Sequence, residues 1–159
     1  EYGDVELHLE FMVPEGSNAG VYLMGRYEIQ IFDSYGLEES KFSDLGGIYQ
    51  RWDPSREGSP GYEGVAPLLN AARKPGEWQT MDIVFRAPRF DASGDKTQNA
   101  RFISVHVNDT MVQQEVEVSG PTRAHPLWGD APVGPIAIQG NHGPIAIRSY
   151  TIKPQTQNH

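Results

Sequence analysis

The sequence contains no cysteine, no long apolar run and no cluster of basic residues. The absence of cysteine excludes disulfide bonds, thiol catalysis and metal sites with cysteine ligands. No apolar run approaches the roughly 18 to 20 residues that a membrane helix needs, so no membrane span is predicted. The formal net charge is −8 and the basic residues are scattered, which disfavours nucleic acid or an anionic membrane as a partner.

Helical periodicity is also missing, and strand-like alternation takes its place. Residues 5–11 (VELHLEF) alternate apolar and polar side chains, and residues 78–86 do the same. In the run 101–107, the same alternation predicts that Arg101, Ile103, Val105 and Val107 share one face. Turns rich in glycine and proline separate these runs. Many short strands with such turns predict an all-β antiparallel sandwich or barrel, and 159 residues suffice for a single domain.

One predicted strand, within the stretch GRYEIQIFDSYG at residues 25–36, carries a polar row opposite its apolar side chains. The row consists of Arg26, Glu28 and Gln30. It fits a solvated sheet face with cross-strand ion pairs, and it equally fits the floor of a binding groove. The bare pattern does not decide between these interpretations.

A long polar segment at about residues 34–76 follows this strand and is rich in glycine, proline and aromatic residues. Connections of this length in a compact domain are usually functional or mobile. We therefore expect one domain over residues 1–159 with a long loop insertion that walls the groove.

Several motifs occur together in one order: GSNAGVYLMGRYEIQIFDSYG, GGIY, KPGEWQTMDIVFRAPRFD, NARFISVHVNDTMVQ, GPT and GPIAIQGNHGPIAIRSYTIKP. As an ordered set they resemble the 3-keto-disaccharide hydrolase domain family of bacteria. The resemblance implies a concanavalin A-like jelly-roll sandwich and a periplasmic or secreted location. It also implies an oxidised glycoside as the carbohydrate ligand.

Two features depart from the family pattern. The family domain usually opens with a further segment before the position of Glu1, so an N-terminal edge of the sandwich is expected to be missing from this chain. The closing motif usually reads Gln-Asp-His-Gly, whereas this chain has QGNHG at residues 139–143.

The chemistry that the resemblance implies is cleavage of sugars oxidised at C3. The ketone acidifies the hydrogen at C2, so a base removes it, the C1 substituent leaves, and water then adds. Such a site needs a base, a group that stabilises the enolate and a proton donor for the leaving oxygen. His142, Glu28 and Arg26 are the candidate catalytic residues, with His142 for proton transfer, Glu28 as base or hydroxyl ligand, and Arg26 for the enolate.

Further polar and aromatic residues are candidates for substrate binding: Gln30, Glu10, Gln139, Arg148, Tyr49 and Trp78. Each has an ordinary structural interpretation as well. Glu10 fits an exposed acid, Arg148 fits a partner for an acid, and Trp78 fits an edge that it packs against. A Tyr49 hydroxyl needs a partner if it is buried.

No cofactor is expected. Histidine spacing does not support a zinc site, and a structural calcium ion held by loop oxygen atoms stays open. The oligomeric state is not predicted.

Two other functions remain as alternatives. The first is a non-catalytic carbohydrate-binding module, because the same fold serves both roles. The second is a conventional glycosidase, which needs two carboxylates about 5 to 10 Å apart across the groove. The sequence has no E-x-D-x-x-E run of the laminarinase-like type, which counts against the second alternative.

Overall fold

The computed structural model of the chain describes residues 1–156, and its regular structure is made of β-strands. The strands are β1 (Val5–Met12), β2 (Asn18–Leu23), β3 (Tyr27–Phe32), β4 (Arg51–Trp52), β5 (Gly61–Tyr62), β6 (Gln79–Arg86), β7 (Arg89–Phe90), β8 (Lys96–Gln98), β9 (Ala100–Val107), β10 (Thr110–Val118), β11 (Ala137–Gln139) and β12 (Ala146–Pro154). No helix within residues 1–156 is long and apolar enough to cross a membrane.

Two antiparallel sheets form the body of the molecule. The larger has five strands in the order β10-β9-β6-β1-β12, and the smaller has three in the order β11-β2-β3. Strand pairs β4–β5 and β7–β8 form two small ladders outside them. One cluster of buried apolar side chains contains residues from both the larger and the smaller sheet. The prediction of an all-β antiparallel sandwich is therefore confirmed.

The first strand shows how alternation builds this core. Val5, Leu7, Leu9 and Phe11 are at most 3% exposed and face the smaller sheet's side of the core. The intervening polar residues point outward, where His8 Nδ1 lies 2.7 Å from an Asp82 carboxylate oxygen on β6. A slip of one residue in such a half-buried antiparallel strand would turn its apolar residues toward water, so the alternation constrains the register.

Strand β9 departs from simple alternation because it contains a β-bulge. Phe85 of β6 pairs with Phe102, whereas Val84 pairs with Ser104, so Ile103 is an extra residue. Phe102 and Val105 are both fully buried. The prediction that Arg101, Ile103, Val105 and Val107 share one face is therefore wrong, because an inserted residue moves the side chains beyond it to the opposite face.

Aromatic side chains join the two sheets at the centre of the core. The ring centroids of Tyr27 and Phe85 are 5.5 Å apart, and those of Phe85 and Phe102 are 5.1 Å apart. Ile29 and Ile31 are fully buried on the same face of β3 as Tyr27. This packing fixes the orientation of β3 and directs its alternate side chains away from the core.

Residues 46–49 run along the free edge of β3 as an irregular strand. Gly46 donates to the Gln30 carbonyl, Gly47 accepts from the Gln30 amide, and Tyr49 donates to the Glu28 carbonyl. These N–O distances are 2.9, 2.8 and 3.1 Å respectively. The segment covers the edge of the smaller sheet and places Tyr49 beside Glu28.

Candidate functional site

A pocket of about 290 Å³ opens on the face of the smaller sheet that points away from the core. We call it the polar pocket. It is lined by Asn18, Tyr22, Glu28, Gln30, Tyr49, Arg123, Ala124, Gln139 and His142. Five of these side chains were predicted from the sequence as site residues: Glu28, Gln30, Tyr49, Gln139 and His142.

Strands β2 and β3 form the floor of the polar pocket. Tyr22 pairs with Glu28 across the hairpin, and Asn18 and Gln30 lie farther along the same two strands. The Gln30 amide nitrogen donates to the Asn18 side-chain oxygen at 2.9 Å. This bond leaves the oxygen and one N–H of the Gln30 side-chain amide free to form hydrogen bonds with a sugar hydroxyl.

Glu28 is the distinctive group of this floor because it is an acidic residue that is only 3% exposed. Burial raises the pKa of Glu28 to about 7, and the nearby Tyr22 hydroxyl partly opposes this rise by stabilising the carboxylate. Burial and the Glu28 charge likewise raise the pKa of Tyr22, so its hydroxyl stays protonated. A carboxyl with a pKa near neutrality is suited to proton transfer at neutral pH.

Gly20 provides the space that the Glu28 carboxyl occupies. A Cβ atom at this position would lie 2.1 Å from Glu28 Oε1. Glycine weakens a strand interior, and in strands it often marks a close approach of another group. Here that group is the Glu28 carboxyl itself.

The closing motif contributes the wall opposite β3. Gln139 pairs with Gly20 at the end of β11, and His142 follows in the loop at residues 140–143. Ser17 anchors this loop by donating its hydroxyl to the Pro144 carbonyl. The backbone approaches so closely at Gly143 that a Cβ atom there would lie 2.6 Å from Ser17 Oγ. His142 thus reaches the rim of the polar pocket while its side chain stays exposed.

Arg123 also lines the polar pocket, and it was not among the site residues predicted from the sequence. Its amide donates to the Gln50 carbonyl at 2.8 Å, and its guanidinium carbon lies 3.8 Å from the centre of the Trp52 ring. The only local signal is its position directly after the GPT motif at residues 120–122. Tyr22 and Asn18 were also left out of the predicted site, although alternation along β2 places both on the side of Gln139.

Arg26 does not join Glu28 and Gln30 on the floor. It lies in the turn before β3, is only 7% exposed, and does not line the polar pocket. Its guanidinium donates to the carbonyl oxygens of Met24, Trp128 and Gly129 at 2.8, 3.4 and 2.6 Å. The prediction that Arg26 shares the pocket floor with Glu28 and Gln30 is therefore wrong. Its guanidinium is instead bound by backbone carbonyl oxygens.

Glu10, Arg148 and Trp78 come together, but on the outer face of the five-stranded sheet. Arg148 Nε donates to Glu10 Oε2 at 2.8 Å, and the guanidinium carbon lies 4.5 Å from the centre of the Trp78 ring. None of the three lines the polar pocket. Their predicted place in the substrate groove is wrong, because Glu10 alternates with the core residues of β1 and therefore points outward.

Within residues 1–156, no group of three or more histidine, aspartate or glutamate side chains is arranged to hold a metal ion. Whether loop oxygen atoms bind calcium stays a prediction.

Comparison with known proteins identifies a matching family and several similar solved structures. The family model described as "3-keto-alpha-glucoside-1,2-lyase-like domain" matches residues 1–153. A crystal structure from Parabacteroides distasonis, described as a "putative glycosyl hydrolase", is 27% identical with a TM-score of 0.69. The alignment covers 97% of this chain and 65% of that one, so the chain spans less than two thirds of that protein's length.

Two further structures of the same description and organism share the fold at lower identity. One is 21% identical with a TM-score of 0.58, and covers 97% of this chain and 79% of its own. The other is 15% identical with a TM-score of 0.60, and covers 98% of this chain and 71% of its own. No curated protein matches the chain significantly.

Proposed function

The chain belongs to the family of 3-keto-alpha-glucoside-1,2-lyase-like domains, and on this premise we propose that its polar pocket cleaves 3-keto-glycosides. The family and the glycosyl hydrolase-like neighbours support a carbohydrate-active hydrolase. The finer proposal is supported chiefly by one observation. A buried glutamate, Glu28, has a pKa raised to about 7 and lies in a pocket that Arg123 and His142 also line.

The proposed reaction begins at C2 of the oxidised sugar. A base removes the C2 hydrogen, the electron pair forms an enolate with the C3 carbonyl, and the C1–O bond to the leaving group then breaks. This elimination gives a C1=C2 double bond conjugated to the ketone. Water adds its oxygen to C1 and a proton to C2, which completes net hydrolysis.

Glu28 is the base in this proposal. Its ionised form accepts the C2 hydrogen, and a conjugate acid with a pKa of about 7 can return a proton during hydration. The Tyr22 hydroxyl beside it stays protonated and hydrogen-bonds the carboxylate. Gln30 and Gln139 supply amide groups that orient sugar hydroxyls.

Arg123 takes the role that the sequence analysis assigned to Arg26. Arg123 lines the polar pocket, and its guanidinium stacks on the neighbouring Trp52, which holds its charge next to the pocket. A positive charge at this position stabilises an enolate oxygen as it forms. His142, at the opposite rim, protonates the leaving oxygen.

The conventional glycosidase is less well supported by the described residues. Among the side chains that line the polar pocket, Glu28 is the single carboxylate. The two-carboxylate mechanism needs a second acid about 5 to 10 Å away. Elimination from a 3-keto sugar needs only one base, which agrees with this arrangement.

The test compares release of the leaving group from a 3-keto-α-glucoside and from its unoxidised parent. We expect release from the 3-keto compound only, and a loss of about 100-fold or more in kcat for Glu28→Gln. Glu6→Gln is the matched control, because Glu6 lies on the outer face and pairs with Lys153.

Three results would contradict the proposal. Release from the parent compound would favour an ordinary glycosidase. Binding of either compound without release would favour a carbohydrate-binding module. An unchanged rate in Glu28→Gln would remove Glu28 from the reaction.

A further inference from the structure

A second cavity of about 510 Å³ adjoins the polar pocket. We call it the aromatic cleft. Its walls include Trp52, Pro54, Pro121, Arg123, Ala124 and Trp128. Arg123 and Ala124 also line the polar pocket, so the two cavities share a wall.

The tryptophans of the cleft are unusually open to solvent. The Trp128 residue is 86% exposed and Trp52 is 41% exposed. Arg123 covers one side of the Trp52 ring, and the Trp128 ring forms an edge-to-face pair with His125, at a centroid distance of 5.0 Å. Large aromatic rings left exposed beside a pocket are typical of ligand contacts.

The polar side chains in the walls of the cleft are largely engaged elsewhere. Arg51 donates to the Ser119 hydroxyl and to the Pro121 carbonyl. Asp130 accepts from the Tyr27 hydroxyl at 2.9 Å and from the Lys96 ammonium at 2.7 Å. What the cleft offers a ligand is therefore mainly the flat faces of aromatic and proline rings.

The backbone that carries Trp128 is fixed independently of its ring. Arg26 binds the carbonyl oxygens of Trp128 and Gly129, and the Leu127 amide donates to the Gly25 carbonyl at 3.2 Å. The ring is thus presented from an anchored segment. When a ligand stacks on the Trp128 ring, the entropic cost of ordering the backbone of this segment is therefore small.

We infer that the aromatic cleft binds the leaving-group ring of the substrate, a six-membered ring with an apolar face. This inference rests on the proposed function, which puts the oxidised sugar in the polar pocket. Small-molecule sites usually have volumes of about 300 to 1,000 Å³, and the polar pocket lies just below that range. A substrate with two rings therefore extends past Arg123 into the cleft.

The test measures kcat/KM for methyl, phenyl and glucosyl 3-keto-α-glucosides with the wild type and Trp128→Ala. Comparing variant with wild type on each substrate cancels the different reactivity of the leaving groups. We expect a loss of about 3- to 10-fold for substrates with a second ring and no change for the methyl compound. Tyr150→Ala is the matched control, because Tyr150 is 64% exposed on β12, outside both cavities.

The three substrates also separate the two kinds of ring. A loss with the glucosyl compound alone assigns the cleft to a sugar, a loss with the phenyl compound alone assigns it to an aryl group, and a loss with both assigns it to either ring. Equal effects on all three substrates, or none on any, would overturn the inference.

Equilibrium binding separates this inference from the proposed function. If the wild type releases nothing, calorimetric titration with the same three compounds still tests the cleft. Weaker binding of the ring-bearing compounds by Trp128→Ala, with the methyl compound unaffected, would support the cleft while the proposed reaction fails. Identical affinities in the two proteins would overturn the cleft as well.

Discussion

Glu28 combines burial with a place in an open pocket, and this combination sets its chemistry. An exposed glutamate would be almost fully ionised at neutral pH and a weak base. Burial raises the pKa of Glu28 to about 7, which makes its carboxylate a stronger base. At neutral pH a large fraction of the group is still ionised. Tyr22 limits this rise by stabilising the carboxylate.

This pKa predicts how the rate depends on pH. The base acts in its ionised form, so the acidic limb of the pH profile of kcat/KM for a 3-keto-glucoside should rise through an apparent pKa of about 7. In Tyr22→Phe the stabilising hydroxyl is lost, so the pKa of Glu28 rises further and the profile moves to higher pH. Initial rates across the pH range measure both effects. A wild-type profile that levels off near the ordinary glutamate pKa of about 4.3 would contradict this assignment.

At the scale of the strand, the pocket floor depends on how β2 and β3 pair. Gly20 faces the Glu28 side chain across the hairpin, and a Cβ atom there would lie 2.1 Å from Glu28 Oε1. The carboxyl must move if Gly20 acquires a side chain. Because a misplacement of about 1 Å can cost about 100-fold in rate, this position controls activity without taking part in it.

We therefore predict that Gly20→Ala lowers kcat/KM by about 10-fold or more. Ser149→Ala is the control, because Ser149 is exposed on β12 of the larger sheet and does not line the polar pocket. Circular dichroism and thermal unfolding verify that both variants fold. Full activity in folded Gly20→Ala would mean that Glu28 does not act from the position described.

Alternation predicted the strands well because it reports which side chains avoid water. It identified β1, β6 and the polar face of β3, and with them Glu28 and Gln30. It failed at β9, where a bulge at Ile103 reverses the faces without any mark in the pattern. Alternation also predicted that β3 begins at Arg26, one residue too early, because the chain is still in a turn there.

At the scale of the whole molecule, the site is assembled from segments far apart in the sequence. Residues 18–30, 49, 123–124 and 139–142 meet only because the closed sandwich brings them together. No local pattern reveals that Arg123 lines the same pocket as Glu28, since that placement depends on a loop that follows β10 of the larger sheet. Glu10 and Arg148 were misplaced for the same reason: their strands belong to the other sheet.

The measurement that tests the central claim most directly is cleavage of a 3-keto-α-glucoside in deuterium oxide, with the released sugar analysed at C2. Elimination and hydration predict deuterium at C2 of the product at early times, above the exchange seen in buffer alone, and slow formation of that product with Glu28→Gln. Because Glu28 can return the hydrogen that it removed, retention of hydrogen at C2 is not decisive alone. Rapid release with hydrogen retained at C2, together with an unchanged rate for a substrate deuterated at C2, would mean direct displacement at C1 and would contradict the account.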